Sequence, residues 1–161
     1  MSRAEEFAGV GLMRKLLAAG AVALAMLAPG ASAQSGAWTY AYVGGVATAT
    51  QRDNGGRVTA TLTCSPPTGD IIITDYTLGR HARRATIAAV RIGAMSVNVP
   101  MSLEGRGRNA RVLINLPQRP PILAAVQPTD RLSVTVNGQT HEYLEGGPAR
   151  MREVAYACWG S

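Results

Sequence analysis

Beyond residue 33 the chain has no lysine and no phenylalanine, and it has only two cysteines and two histidines. These shortages remove whole classes of function. Two histidines, His81 and His141, lie far apart in the chain and make a poor ligand set for a metal once the cysteines are oxidised, so neither a metal nor a cofactor is expected. No CxxC occurs, which excludes dithiol redox chemistry. No GxSxG marks a nucleophile elbow. The positive charge is carried by thirteen arginines against eight carboxylates in residues 34–161, as a strongly GC-biased genome would give. Without a recognisable reading element, that charge does not define a nucleic-acid binder. The missing phenylalanines leave Trp38, Tyr40 and Tyr42 as the large rings of the first strand.

A run of some twenty apolar residues is also missing. The longest one, Leu16 to Ala28, holds 13 residues. As a helix it would span about 20 Å, short of a hydrocarbon core of about 30 Å. Met13, Arg14 and Lys15 precede it, Pro29 and Gly30 end it, and Ala31-Ser32-Ala33 follows. A charged n-region, an apolar h-region and a small-residue cleavage site form a secretory signal peptide. Residues 1–33 are read as that leader, with the true start at Met13 and residues 34–161 as one exported domain, periplasmic or secreted. No stable membrane insertion is expected after cleavage.

In an exported chain an even cysteine count implies a disulfide, and Cys64 and Cys158 allow one intramolecular pairing. A ring that long constrains the unfolded chain by about 4–5 kcal/mol in the chain-entropy model.

Alternation and turn chemistry predict an all-β domain, an antiparallel sandwich or small barrel of about eight to ten short strands. Trp38 to Thr50 reads as one strand with a bulge at Gly44-Gly45. Asp53-Asn54-Gly55-Gly56 turns it into Arg57 to Cys64. Strands follow over Ile71 to Leu78, Ala85 to Ile92, Met95 to Leu103, Ala110 to Leu116 and Arg131 to Val136. Asn137-Gly138 is a type I′ hairpin signal, and Gln139 to Leu144 returns from it. One helical turn is expected at Ile122 to Val126. Glu153 to Trp159 reads as the last strand, placed so that Cys158 meets Cys64. Pro66-Pro67 and Pro120-Pro121 read as stiff loops.

For chemistry, Asp70 and Asp75 flank a strand with odd spacing, so they point to opposite faces. Asp70 is assigned to a turn and Asp75 to solvent. A glycan-cleaving site would instead need Asp70 or Asp75 in a cleft beside His81. His141 and Glu142 are neighbours on a strand and face opposite ways. Trp38, Tyr40 and Tyr42 share a face and are assigned to the core, with a sugar or peptide platform as the functional alternative. The basic loops Gly79 to Arg84 and Gly105 to Asn109 supply the candidate partner-binding residues Arg80, Arg83, Arg84, Arg106 and Arg108, whose guanidinium groups suit carboxylates and phosphates. No catalytic residue is assigned.

A leader, a Cys on an early strand, MSVNVPMSL midway, ILAAVQPTDRLSVTV and a closing VAYACW together resemble the small exported Gram-negative proteins of the invasion-associated locus B family. The resemblance spans residues 60–159 and implies a non-enzymatic envelope-associated domain. The expectation is a non-catalytic exported module that binds another envelope protein. An inhibitor of a lysozyme-like enzyme and a small glycan-acting hydrolase are the alternatives.

Overall fold

A computed structural model describes residues 37–64, 69–117, 119–124, 126–127 and 129–159. The expected leader with its expected cleavage site, the Pro66-Pro67 pair and Pro128 lie outside the described residues.

Nine strands follow the turn signals: β1 (Ala37–Val43), β2 (Val46–Arg52), β3 (Val58–Cys64), β4 (Ile71–Asp75), β5 (Ile87–Ile92), β6 (Met95–Glu104), β7 (Arg111–Leu116), β8 (Leu132–Val136) and β9 (Gln139–Glu142). Among the described residues two α-helices accompany them, α1 (Pro121–Ala124) between β7 and β8 and α2 (Gly147–Trp159) after β9, with one 3-10 turn at Gly107–Asn109. All strand pairs are antiparallel, in the order β1-β2-β3-β4-β7-β6-β5-β8-β9. Of the two predicted architectures it is the barrel-like one: a single sheet curls into a half-barrel.

The curl has a local cause in β6. Its first six residues pair with β5, and from Met101 onward it pairs with β7. Pro100 ends the first ladder, opposite Ile87. Having no N–H, proline is tolerated where a ladder is interrupted, and here it marks the hand-over from one neighbour to the other.

Inward side chains alternate with outward ones along each strand. Ala49, Leu62, Ile73, Ile114 and Met101 are partners in one row across five strands, and Ala47, Cys64, Ile71 and Leu116 form the next. All are buried, and each fully buried Leu, Ile or Val contributes roughly 1.5–3 kcal/mol.

Four expectations are corrected. Gly44 and Gly45, with φ +58° and +82°, make a two-residue hairpin turn between β1 and β2, not a bulge; Cys64 therefore ends the third strand. Tyr76 to Leu78 leave the strand after Asp75. Tyr40 and Tyr42 are exposed, and of the three rings only Trp38 is in the core. The fourth correction is the largest: Glu153 to Trp159 is part of α2. Pro148 sits in its first turn, where the missing N–H costs nothing. Met151, Val154, Ala155 and Cys158 recur at the i, i+3, i+4, i+7 spacing of one helix face; the first three are buried and Cys158 is half-buried. That face packs into the half-barrel against β1, β2 and β3. Gly147 lies between Leu132 and Trp38, and Cys158 is bonded to Cys64 with their Cα atoms 6.0 Å apart. The far end of α2 is tied by Trp159 Nε1–H, which donates to the carbonyl of Gly69.

Candidate functional site

One row across the sheet carries polar chemistry in its middle. The register aligns Trp38, Gln51, Ala60, Asp75, Val112 and Leu103. Ala60, between Gln51 and Asp75, is too small to fill its place, which leaves room for polar side chains inside the curl. His141 arrives from β9, partnered with Val134, which is in turn partnered with Val90. Both valines are fully buried, so this position faces inward, while the neighbouring Glu142 is exposed.

Asp75 is fully buried, which corrects its assignment to solvent. Burying a carboxylate is costly unless it is compensated by hydrogen bonds, and here it accepts five. Oδ1 takes Thr77 N–H at 2.7 Å, Thr77 Oγ1–H at 2.8 Å and Leu78 N–H at 2.8 Å. Oδ2 takes His141 Nδ1 at 2.6 Å and Tyr143 O–H at 2.9 Å. The turn after β4 supplies the first three, and β9 with its exit supplies the others. Burial pushes the Asp75 carboxyl up, but His141 by hydrogen bond and charge, and the Leu78 and Thr77 donors, pull it further down; the net position is below the usual carboxylate range. Tyr143 moves the other way. Burial first, then the Asp75 charge and the hydrogen bond to it, raise its phenol well above the usual value.

The four donors other than His141 already occupy about four lone-pair sites, which leaves no place for a proton on Asp75. The hydrogen between Asp75 and His141 therefore sits on Nδ1. Thr77 Oγ1, 3.1 Å from the same nitrogen, already gives its own proton to Asp75 and accepts a second, weaker bond from Nδ1–H. In the neutral ring Nε2 then carries the lone pair. The Tyr143 ring stands edge-on to both His141 and Trp38, which fixes the imidazole plane.

His141 also lines a cavity of about 470 Å³ with Gln51, Asp53, Asn54, Arg57, Thr59 and Glu142 among its walls. A larger cleft of about 1000 Å³ adjoins it, and Asp53, Arg57 and Thr59 belong to both. The larger cleft is lined by Arg57, Arg80, Arg83, Arg106 and Arg108, together with Tyr76, Thr77 and Leu103. Among the described residues of that lining Asp53 is the one carboxylate, and it is already bonded to Arg57. The Arg57 backbone N–H, then its guanidinium, lower the Asp53 carboxyl against a small opposing effect of burial.

Two loops thus converge. The 79–84 loop and the 105–109 loop are brought together by close backbone packing: a Cβ at Gly79 would run into the carbonyl of Ala110. Asn137, with φ +50° in the β8–β9 turn, holds the first loop from the other side through its amide, which donates to the His81 and Arg83 carbonyls.

Of the five predicted arginines, Arg80, Arg83, Arg106 and Arg108 share the cleft, and Arg84 does not line it. Arg57 was missed; its sequence signal is its place directly after the DNGG turn. His81 is not paired with either aspartate: its Nε2 accepts from Arg80, while Asp70 accepts from the amide of Asn115. The histidine beside Asp75 is His141. Among the described residues no group of three or more His, Cys, Asp or Glu is placed to hold a metal, and no helix is long and apolar enough to cross a membrane. The chain matches no family model, no curated protein and no solved structure.

Proposed function

We propose that the protein is an exported binding module of the cell envelope, periplasmic or secreted, whose arginine-lined cleft receives an acidic segment of another envelope protein. The observation that carries this reading is the convergence of the two arginine loops. Residues separated by up to 51 positions, Arg57 to Arg108, place five guanidinium groups around one cleft; among its described lining residues Asp53 is the one carboxylate, and it is paired with Arg57, which leaves the other four arginines. Guanidinium groups pair with carboxylates in a planar, two-pronged geometry, and clustered charge of one sign speeds encounter with an oppositely charged partner. The signal peptide supports export, and the Cys64–Cys158 bond fits an oxidising compartment.

The test is the affinity of the oxidised protein for an oligoglutamate peptide, measured by fluorescence anisotropy at low and high salt. Arg106→Glu/Arg108→Glu is expected to weaken binding by about tenfold or more, equivalent to about 1.4 kcal/mol, and the native affinity is expected to fall with salt. A charge-reversed protein that binds like the native one would sink the proposal.

A further inference from the structure

The cavity beside the arginine cleft holds a group that binding alone does not use. Asp75 fixes the His141 ring with Nδ1 protonated, and that nitrogen faces the interior. The side chain is 18% exposed, and the ring lines the 470 Å³ cavity, which leaves Nε2 as its reactive edge. Among the described residues no hydrogen bond engages Nε2. A buried, fully hydrogen-bonded carboxylate behind an imidazole, with the opposite nitrogen open to a cavity, is the arrangement that holds a general base in the right tautomer and stabilises the imidazolium once it forms.

We infer that His141 is a catalytic general base and that the protein hydrolyses carboxylic esters borne by an acidic substrate, with the ester in the His141 cavity and the anionic remainder in the arginine cleft. The base assignment stands on Asp75 and His141 alone; the preference for an acidic substrate rests on the binding reading above. His141 Nε2 takes a proton from water as the water oxygen bonds to the carbonyl carbon. The carbonyl electron pair moves to oxygen. Arg57, the one arginine among the described residues lining the smaller cavity and held there by Asp53, faces the resulting oxyanion from the wall that the two cavities share. The oxyanion collapses, the carbon–oxygen bond to the leaving group breaks, and the imidazolium returns the proton to the departing alkoxide. The products are an acid and an alcohol, with no external oxidant, reductant or metal. Asp75 touches no substrate and is a positioning residue. Thr77 supports it from both sides, bonding to Asp75 Oδ1 and lying 3.1 Å from His141 Nδ1.

The probes are 4-nitrophenyl acetate and the carboxylate-bearing 4-nitrophenyl succinate, hydrolysed by the oxidised protein. The native protein is expected to turn over both, with the lower KM for succinate. His141→Gln should lose about a hundredfold, the usual share of a general base, while His81→Gln should match the native rate on the acetate, which has no anionic remainder for the arginine cleft, and so exclude adventitious imidazole reactivity. Nitrogen-15 NMR of the native protein at alkaline pH should show His141 with Nδ1 protonated and Nε2 bare. Native hydrolysis no faster than buffer, His141→Gln as fast as native, or an Nε2-protonated ring would each overturn the base assignment. Arg106→Glu/Arg108→Glu should abolish the KM preference for succinate; if that preference survives, the acidic-substrate assignment is overturned while the base assignment stands.

Discussion

Asp75 Oδ2 and His141 Nδ1 lie 2.6 Å apart although 66 positions separate them in the chain. The contact joins a central strand of the sheet to the last one, across the inside of the curl, and it gives the domain one carboxylate on which five hydrogen bonds depend.

Asp75→Asn should cost about 1–3 kcal/mol, the usual penalty of leaving buried hydrogen-bond donors unsatisfied, because an amide cannot accept all five donors. Urea denaturation at neutral pH measures this, and a loss below about 1 kcal/mol would mean that the site relaxes around the amide.

The same carboxylate sets an acid limit. Its folded pKa lies below the unfolded value of about 3.9. Its contribution is therefore complete above that unfolded value and is lost as pH falls through the folded one. Denaturation midpoints of the native protein should drop as pH is lowered from about 5 toward 2. In Asp75→Asn, which starts lower, that fall should be shallower.

Gly79→Ala should separate the two arginine loops. The new Cβ meets backbone at Ala110, which has no side-chain freedom with which to yield. The expected result is a loss of about 1–3 kcal/mol from overpacking and weaker oligoglutamate binding. Alanine at Gly55, whose Cβ would meet only the Asp53 side chain, is the milder comparison.

The two ends of the sheet are joined by side chains and not by a ladder. Leu144 N–H donates to Gln51 Oε1 at 2.9 Å, and Trp38 Nε1–H donates to Leu144 O at 3.2 Å. Gln51→Leu removes the first acceptor and should cost about 1–3 kcal/mol. Amide hydrogen exchange should quicken at Leu144 while Leu62 and Ile73 stay protected. Uniform quickening across the core would argue that the seam has no independence.

Removing the disulfide with Cys64→Ser/Cys158→Ser should cost about 4–5 kcal/mol in the chain-entropy model. The loss should appear first in α2, as reduced helical circular dichroism and earlier proteolysis after Arg150 or Arg152. Coincident loss of the sheet signal would show that helix and sheet unfold as one unit.

Much of the sheet was legible because its turns are written in local chemistry: Asn137-Gly138 has positive φ at both positions, and DNGG folds as a hairpin. The helix α2 was misread because Val154, Tyr156 and Cys158 alternate. Starting the element at Glu153 hid Met151, which completes the helical stripe with Val154, Ala155 and Cys158, and Pro148 stood at the position of a helix start. Asp75 was legible and passed over: parity places it with Ile71 and Ile73, both inside. The Asp75–His141 pairing was not legible, since it depends on β9 lying across the curl from β4, which no spacing along the chain encodes. Likewise each arginine loop was readable, but their meeting depends on Gly79 against Ala110.

The bond between Cys64 and Cys158 closes a covalent ring that contains every strand from β4 to β9 and almost all of α2. β1, β2 and all of β3 before Cys64 lie outside that ring, at one end of the strand order. In the oxidised protein these three strands form an arm that can leave one molecule and dock on another without threading ring through ring. A dimer that exchanged this arm would trade its Gln51 and Trp38 contacts to Leu144 for the same contacts made across the two chains.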